Sequence, residues 1–262
     1  MPLTPEQIAR YSRHIALKEV GEVGIERLRT KTVAVIGAGG LGSPILQYLV
    51  GSGLGHLRVY EADKVDISNL HRQTLYITPD VGKDKAEIVK RRLLEIDPGC
   101  DVEVVHTRFS PKNALECLKG ADVALDASDN FATKFLINDA CVRLGIPFNI
   151  TGVVRFDGQS LTVLPGKTAC YRCVFSNPPP KALVPPTSKT GLLGPIPGIL
   201  GTIQATEALK LLLNIGETLA GNLLVVDALK MNFTKIKVQR LAECPACGSN
   251  PTNLIETFDY EV

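Results

Sequence analysis

Lys31-Thr-Val-Ala-Val-Ile-Gly-Ala-Gly-Gly-Leu-Gly42, running on into Ser43-Pro-Ile-Leu-Gln-Tyr-Leu-Val50, decides how the rest of the chain is read. The first half is a continuous apolar, β-branched run, which suits a strand buried on both faces. The second half suits a helix from Leu41 to Ser52. Between them, Gly37, Gly39 and Gly42 meet the G-x-G-x-x-G spacing at a strand-to-helix turn. Backbone N–H groups there can approach a phosphate closely, and the amino end of the following helix favours its negative charge.

Outward from this stretch the alternation continues. Strands are expected at His56 to Glu61, Asp101 to His106 and Ala121 to Ala127. Helices are expected at Gly82 to Ile96, Pro111 to Lys119 and Phe131 to Leu144. Such βαβ order gives a parallel sheet with helices on both faces and a ligand beyond the carboxyl ends of its strands. After Pro147 the pattern changes: Phe148 to Phe156 and Gln159 to Leu164 read as two strands, with Asp157-Gly158 as the hairpin turn. A Pro-rich segment from Asn177 to Pro197 precedes a long apolar helix, Gly198 to Leu213, and a further strand pair, Leu223 to Ala228 with Phe233 to Val238. Before the glycine stretch, Thr4-Pro5 with Gln7 starts a helix reaching about Lys18, and a second helix covers Val23 to Arg29. The expected class is α/β: a Rossmann-like, doubly wound, mostly parallel sheet extended by antiparallel strands, with a zinc knuckle. One domain over 1–262 is expected, divided into helices over 1–30, a nucleotide-binding half over 31–147, and strands, crossover loop (177–197) and zinc tail over 148–262.

Composition narrows the function. The 262 residues are 45% apolar, enough for a substantial core, so a disordered or fibrous chain is excluded. With 29 basic and 27 acidic side chains, no bulk charge favours nucleic acid or a membrane surface as partner. No secretory layout is seen at the amino end, and the longest apolar stretch is interrupted by Pro195, Pro197, Glu207 and Lys210, so a cytoplasmic protein is expected.

Glu61, nineteen residues after Gly42 and at the end of the next strand, is placed to accept from ribose hydroxyls. Glycines and Glu61 alone leave a nicotinamide-dependent dehydrogenase and an ATP user equally open. The donors that follow favour phosphoryl chemistry. Asn69, Arg72 and Gln73 fall in a loop just past a strand end, and Lys85 starts the next helix. Nucleotidyl transfer must neutralise charge on phosphoryl oxygens, whereas hydride transfer needs no such ring of donors. Asp129-Asn130 follows the strand from Ala121 at the same edge, where a carboxylate could hold Mg²⁺. Singly, these residues read as solvated charges or a helix cap; their shared edge carries the argument.

Seven cysteines in a chain this long do not suggest a disulfide scaffold. Cys170-Tyr-Arg-Cys173 and Cys244-Pro-Ala-Cys247 have the knuckle spacing of a four-thiolate zinc site. A redox dithiol is the alternative, but neither pair is expected to open a helix after a strand. Cys100, Cys117 and Cys141 read as buried small residues.

Taken in order, Arg10-Tyr-Ser-Arg13-His, the glycine loop, Ser68-Asn69-Leu-His-Arg-Gln73, Val-Gly-x-x-Lys85, Asp126-x-x-Asp129-Asn130 and the two cysteine pairs resemble the MoeB/ThiF/HesA-like family of adenylating enzymes across nearly the whole chain. The resemblance implies a homodimer that uses ATP and Mg²⁺ to adenylate the carboxyl-terminal Gly-Gly of a small ubiquitin-like sulfur carrier. That carrier then becomes a thiocarboxylate for molybdopterin, thiamin, cysteine or tRNA thiolation pathways. It further implies nucleotide contacts from Gly39, Gly40, Gly42, Glu61, Asp63, Ser68, Asn69, Arg72, Gln73, Lys85, Asp129 and Asn130. Arg13 would reach in from the partner subunit, with Arg72, Lys85 and Asp129 as the other catalytic groups.

Two departures qualify the match: the ribose position is Glu61 where the family usually has Asp, and Thr187 stands where many members carry a loop cysteine. With no cysteine between Cys173 and Cys244, the expectation is adenylation only, with sulfur delivered by a separate donor. The rival readings are a nicotinamide-dependent oxidoreductase and a non-catalytic carrier-binding scaffold.

Overall fold

The computed structural model describes residues 2–180 and 187–260, with the side chains of Thr187 and Ser188 outside the description. The alternation read from the sequence becomes β1 (Thr32–Ile36), α4 (Gly42–Gly51), β2 (His56–Tyr60), α5 (Lys85–Ile96), β3 (Asp101–Val105), α6 (Ala114–Leu118), β4 (Val123–Asp126), α7 (Phe131–Leu144) and β5 (Phe148–Val154). Ahead of these lie α1 (Pro5–Arg10), α2 (Ser12–Ile15) and α3 (Gly21–Leu28). After them come β6 (Asp157–Val163), α8 (Tyr171–Val174), α9 (Thr187–Thr190), α10 (Pro195–Leu213), β7 (Asn222–Asp227), β8 (Asn232–Lys237) and α11 (Leu254–Thr257).

All eight strands join one sheet in the order β3-β2-β1-β4-β5-β6-β7-β8. The pairs from β3 through β5 are parallel, and those from β5 through β8 are antiparallel. The chain crosses from β1 outward to β2 and β3, then returns to lay β4 on the other side of β1, so a crevice opens beyond the carboxyl ends of β1 and β4. Strand β1 shows why a continuous apolar run was needed. Val33 and Val35 face a core shared with α3, α4, α5 and α10, whereas Ala34 and Ile36 face a second core shared with α6, α7 and the cysteine-rich segments. Each buried Val or Ile contributes about 1.5–3 kcal/mol relative to exposure, so a polar residue on either face of β1 would be costly.

Three expected elements are corrected. The helix expected from Thr4 to Lys18 breaks at Tyr11 (φ −97°, ψ 13°), whose ring turns inward and whose hydroxyl donates to Asp97. The hairpin turn is not Asp157-Gly158 but Arg155-Phe156, because Val154 pairs with Asp157 and Arg155 takes φ 55°. Gly158 lies within β6 for a packing reason: a Cβ there would sit 2.9 Å from Leu200 of α10. That helix starts three residues before the expected Gly198, since Pro195 occupies its first turn, where a missing N–H costs nothing.

Candidate functional site

A cleft of about 1070 Å³ opens at the crevice beyond β1 and β4. Gly39 and Gly40 form its floor, between the end of β1 and α4, and no side chain caps the amino end of that helix. Within its first turn the Ser43 amide already donates to the Gly39 carbonyl (2.9 Å) and Pro44 has no N–H, so an anion is left to the loop amides of Gly39 and Gly40. Gly42 plays a different part from the one expected. It does not line the cleft, and a Cβ there would lie 2.6 Å from the Gly37 carbonyl oxygen, so it serves the tight return of the loop.

The loop is pinned at Ala38 from two sides. The Ala38 amide donates to Glu61 Oε2 (2.9 Å), and the Tyr76 hydroxyl donates to the Ala38 carbonyl (2.8 Å). Burial pushes the Tyr76 phenol far up, so it remains a donor at any ordinary pH. Glu61 also accepts from the amides of Ala62 and Asp63, both 2.8 Å, and still lines the cleft. Its carboxylate thus shapes the glycine turn as well as standing where a ribose would be met.

Arg72, Gln73 and Lys85 line the same cleft. Arg72 is tied back by Nη1 to the Ser68 carbonyl and to His71 Nε2, both at 2.8 Å, so the neighbouring histidine orients it. Gln73 is 5% exposed, and its Oε1 has no hydrogen-bond partner. An orphaned buried amide oxygen normally marks a missing ligand or water. Lys85 is 4% exposed, and among the described residues its Nζ pairs with the mostly exposed Asp63 carboxylate at 3.7 Å and lies 6.0 Å from the Tyr76 ring centroid. Asp63 and Asn130 also line the cleft, and Asp129 sits there with an exposed carboxylate.

The structure separates other expected residues from this group. Ser68 and Asn69 do not line the cleft; they build the 3₁₀ turn Ile67–Asn69. Asp66 accepts from the Ser68 amide and hydroxyl, which hold its carboxyl below the usual range, and Asn69 Oδ1 accepts from the Asp66 amide. Asn130 caps α7 through a bond from the Thr133 amide (2.9 Å), the structural role its position also allowed. Arg13 is exposed on α2 and does not line the cleft, so within one chain it touches none of this.

Sequence reasoning quoted Asp126 in a motif without giving it a role and missed its partner Lys134; together the two organise the site. Asp126 ends β4 fully buried, and Lys134, one turn into α7, bonds its carboxylate at 2.7 Å. The same ammonium donates to the Ser128 and Thr151 carbonyls, at 2.9 and 2.6 Å, while Asp126 accepts from the Ser128 amide and hydroxyl. Together they fix the turn that presents Asp129. The available signal was the spacing of Asp126 and Lys134, eight residues apart across the turn from a buried strand into Phe131–Leu144.

The four paired cysteines gather at one place, their sulfur atoms all within 4.8 Å of one another. Cys170 to Cys173, Cys170 to Cys244 and Cys173 to Cys247 are separated by 3.9, 3.6 and 3.4 Å. Four thiolates on a tetrahedral zinc with Zn–S bonds of about 2.3 Å stand about 3.8 Å apart, so the donor set fits that ion. As thiols they conflict: the Cys247 thiol is pushed down to about 5, chiefly by its hydrogen bond from Cys170, while that bond and burial push Cys170 far up. The Leu241 amide donates to Cys173 Sγ at 3.4 Å, a contact that favours a thiolate. Cys170 caps a short helix, α8, but not in the thioredoxin-like arrangement weighed from the sequence, since its partners are the cysteines of the distant tail rather than one redox partner. Thr187 lies at the start of α9, with its side chain outside the described residues.

Comparison with known proteins agrees with this geometry. The model of the ThiF family matches residues 11–246. A sulfur carrier protein adenylyltransferase of Thermus thermophilus is 47% identical, covering 100% of this chain and 98% of its own length. A SAMP-activating enzyme E1 of Haloferax volcanii is 44% identical over 99% of this chain and 96% of its own. Among solved structures, MccB of E. coli with MccA-N7isoASN superposes with a TM-score of 0.82 at 24% identity, over 92% of this chain and 74% of that one, which is a likeness of fold. With a family model spanning the chain from its second helix to its last cysteine pair, and relatives matched end to end, this protein belongs to the ThiF family.

Proposed function

We propose that the chain, as one adenylation domain over 1–262, is an ATP-dependent adenylyltransferase that activates the carboxyl-terminal Gly-Gly of a small ubiquitin-like sulfur carrier. The observation that carries this reading is the convergence, in one cleft at the switch point of the sheet, of an uncapped glycine turn with Arg72, Gln73, Lys85 and Asp129. The relatives named as a sulfur carrier protein adenylyltransferase and a SAMP-activating enzyme support the same reaction.

In the proposed reaction a carrier carboxylate oxygen forms a bond to the α-phosphorus as the bond to pyrophosphate breaks. This is an encounter of like charges, so cations held in place before the reaction lower its barrier. Lys85, buried and paired only loosely with the mostly exposed Asp63, is suited to phosphoryl oxygens at the reacting phosphorus. Arg72 is suited to the leaving pyrophosphate, and the amides of Gly39 and Gly40 to the remaining phosphate oxygens. Gln73 would satisfy its orphaned oxygen with a hydroxyl or water at the nucleotide. Asp129 would hold Mg²⁺, which supplies neutralising charge to the polyphosphate. The carrier's two glycines would allow its backbone to approach closely, and the step needs no side-chain nucleophile.

Arg13, exposed on α2, would complete the site of a second subunit in a homodimer. The four cysteines would hold a structural zinc with no open coordination position. Since the crossover segment carries no cysteine, sulfur would come from a separate donor. The cysteines are free, with no disulfide among the described residues, which fits a reducing, cytoplasmic setting.

ATP–pyrophosphate exchange with Mg²⁺, run with each small Gly-Gly-ending protein of the same genome, tests the reading. Exchange that depends on one such protein and is lost in Asp129→Ala is the expected result. Nicotinamide binding without exchange would instead support an oxidoreductase, and carrier binding without exchange a scaffold.

A further inference from the structure

We infer that Tyr260, close to the carboxyl end of the chain, is a positioning residue for the carrier's tail, walling the part of the cleft farthest from the phosphates; this rests on the adenylation reading above. The cleft is not uniform. Glu61, Arg72, Lys85 and Asp129 come from beyond β1, β2 and β4, whereas Leu136 of α7, Val153 of β5, Tyr171 of α8, Val225 of β7 and Tyr260, with Asp157 and Gln159 of β6, line it from the antiparallel side of the sheet. From β4 to β7 is three inter-strand steps, roughly 14 Å at about 4.8 Å each. An extended peptide covers that with about four residues at roughly 3.4 Å per residue. The antiparallel side is therefore the place for the residues just before a Gly-Gly terminus whose carboxylate lies among the cations.

Tyr260 is held there by an unusually committed arrangement. It is 5% exposed, and its hydroxyl donates to Asp139 Oδ2 at 2.5 Å. Arg172, between the two cysteines of the first pair, clasps the same carboxylate with Nε and Nη2, each at 2.8 Å. The Arg172 guanidinium lies between the rings of Phe135 (4.8 Å) and Phe258 (4.2 Å), and Phe258 meets Tyr260 edge-on with centroids 5.0 Å apart. Burying a guanidinium and a carboxylate is costly unless close geometry and further hydrogen bonds offset it, as the two-point clasp and the Tyr260 hydroxyl do here. The arrangement fixes one tail residue against the cleft.

The test uses the full chain and a purified Gly-Gly-ending protein that supports exchange with the wild type. In Tyr260→Ala the KM for that protein should rise about tenfold, the scale of one lost aromatic contact, with the KM for ATP within about twofold. Tyr260→Phe keeps the ring and should stay within about threefold of wild type. If Tyr260→Ala is poorly folded, Tyr260→Leu is judged by the same split. An unchanged carrier KM, or an ATP KM that rises in parallel, overturns the inference while wild-type exchange leaves the adenylation reading standing. Absence of carrier-dependent exchange in the wild type overturns both.

Discussion

Replacing Lys85 by methionine is expected to separate catalysis from stability, because the structure gives the ammonium little to do in the resting protein. Its ionic partner, Asp63, is 3.7 Å away with a side chain 60% exposed, a pair worth about 0–1 kcal/mol. The contact with the Tyr76 ring, 6.0 Å to the centroid, adds about 0.5–1 kcal/mol. Methionine keeps most of the buried stem, so the loss of stability should be about 0.5–2 kcal/mol and Tm should fall by about 1–8 °C. On the reacting phosphorus the same ammonium is worth far more: removal of one preorganised donor to developing charge typically costs about 10²–10³ in rate. Carrier-dependent ATP–pyrophosphate exchange, measured beside thermal unfolding of the same preparation, should therefore drop at least about a hundredfold in a protein that is still folded. A loss below about tenfold, or one that tracks the unfolded fraction, would refute the assignment of Lys85 to the reacting phosphate.

Lys134→Met should destabilise the protein by about 3–5 kcal/mol, read as a shift in denaturant midpoint, because it strands the fully buried Asp126 carboxylate. Restoring the pair's neutrality with Asp126→Asn in the same chain should recover part of that loss. Gly42→Ala should weaken ATP binding in calorimetry and lower Tm, since its Cβ would press on the Gly37 carbonyl at 2.6 Å. Purified protein should contain one zinc per chain by elemental analysis, and chelation should lower Tm and loosen the 240–260 segment in hydrogen exchange; a metal-free protein of unchanged Tm would remove the zinc assignment. Thr187→Ala should leave exchange unchanged, as a segment without a nucleophile requires.

The residues that carried the sequence reading are those whose role is local. The apolar run of β1, the glycine spacing and the position of Lys85 at a helix start each follow from backbone geometry and short-range pattern, and the structure places Gly39, Gly40, Arg72, Gln73, Lys85 and Asp129 on one cleft as that reading required. The misses share a different cause. Asp157-Gly158 carried the chemistry of a turn, yet its glycine was needed by Leu200, some forty residues further on. Asn69 and Ser68 looked like ligand donors and are used by their own turn. Tyr11 broke a helix because its ring had a core to enter.

What the sequence by itself determined, then, was the alternation of strands and helices, the glycine turn at the end of β1, and the two short-spaced cysteine pairs. These depend on periodicity and spacing along the chain, where neighbours in sequence are neighbours in space. Only the tertiary structure decided which side chains reach the cleft and which hold it open. The Lys134–Asp126 pair spans eight residues, Tyr76 reaches back to Ala38, and Tyr260 meets Asp139 from 121 residues away. Burial is what gives such contacts their strength, and burial is a property of the packed chain that no local pattern specifies.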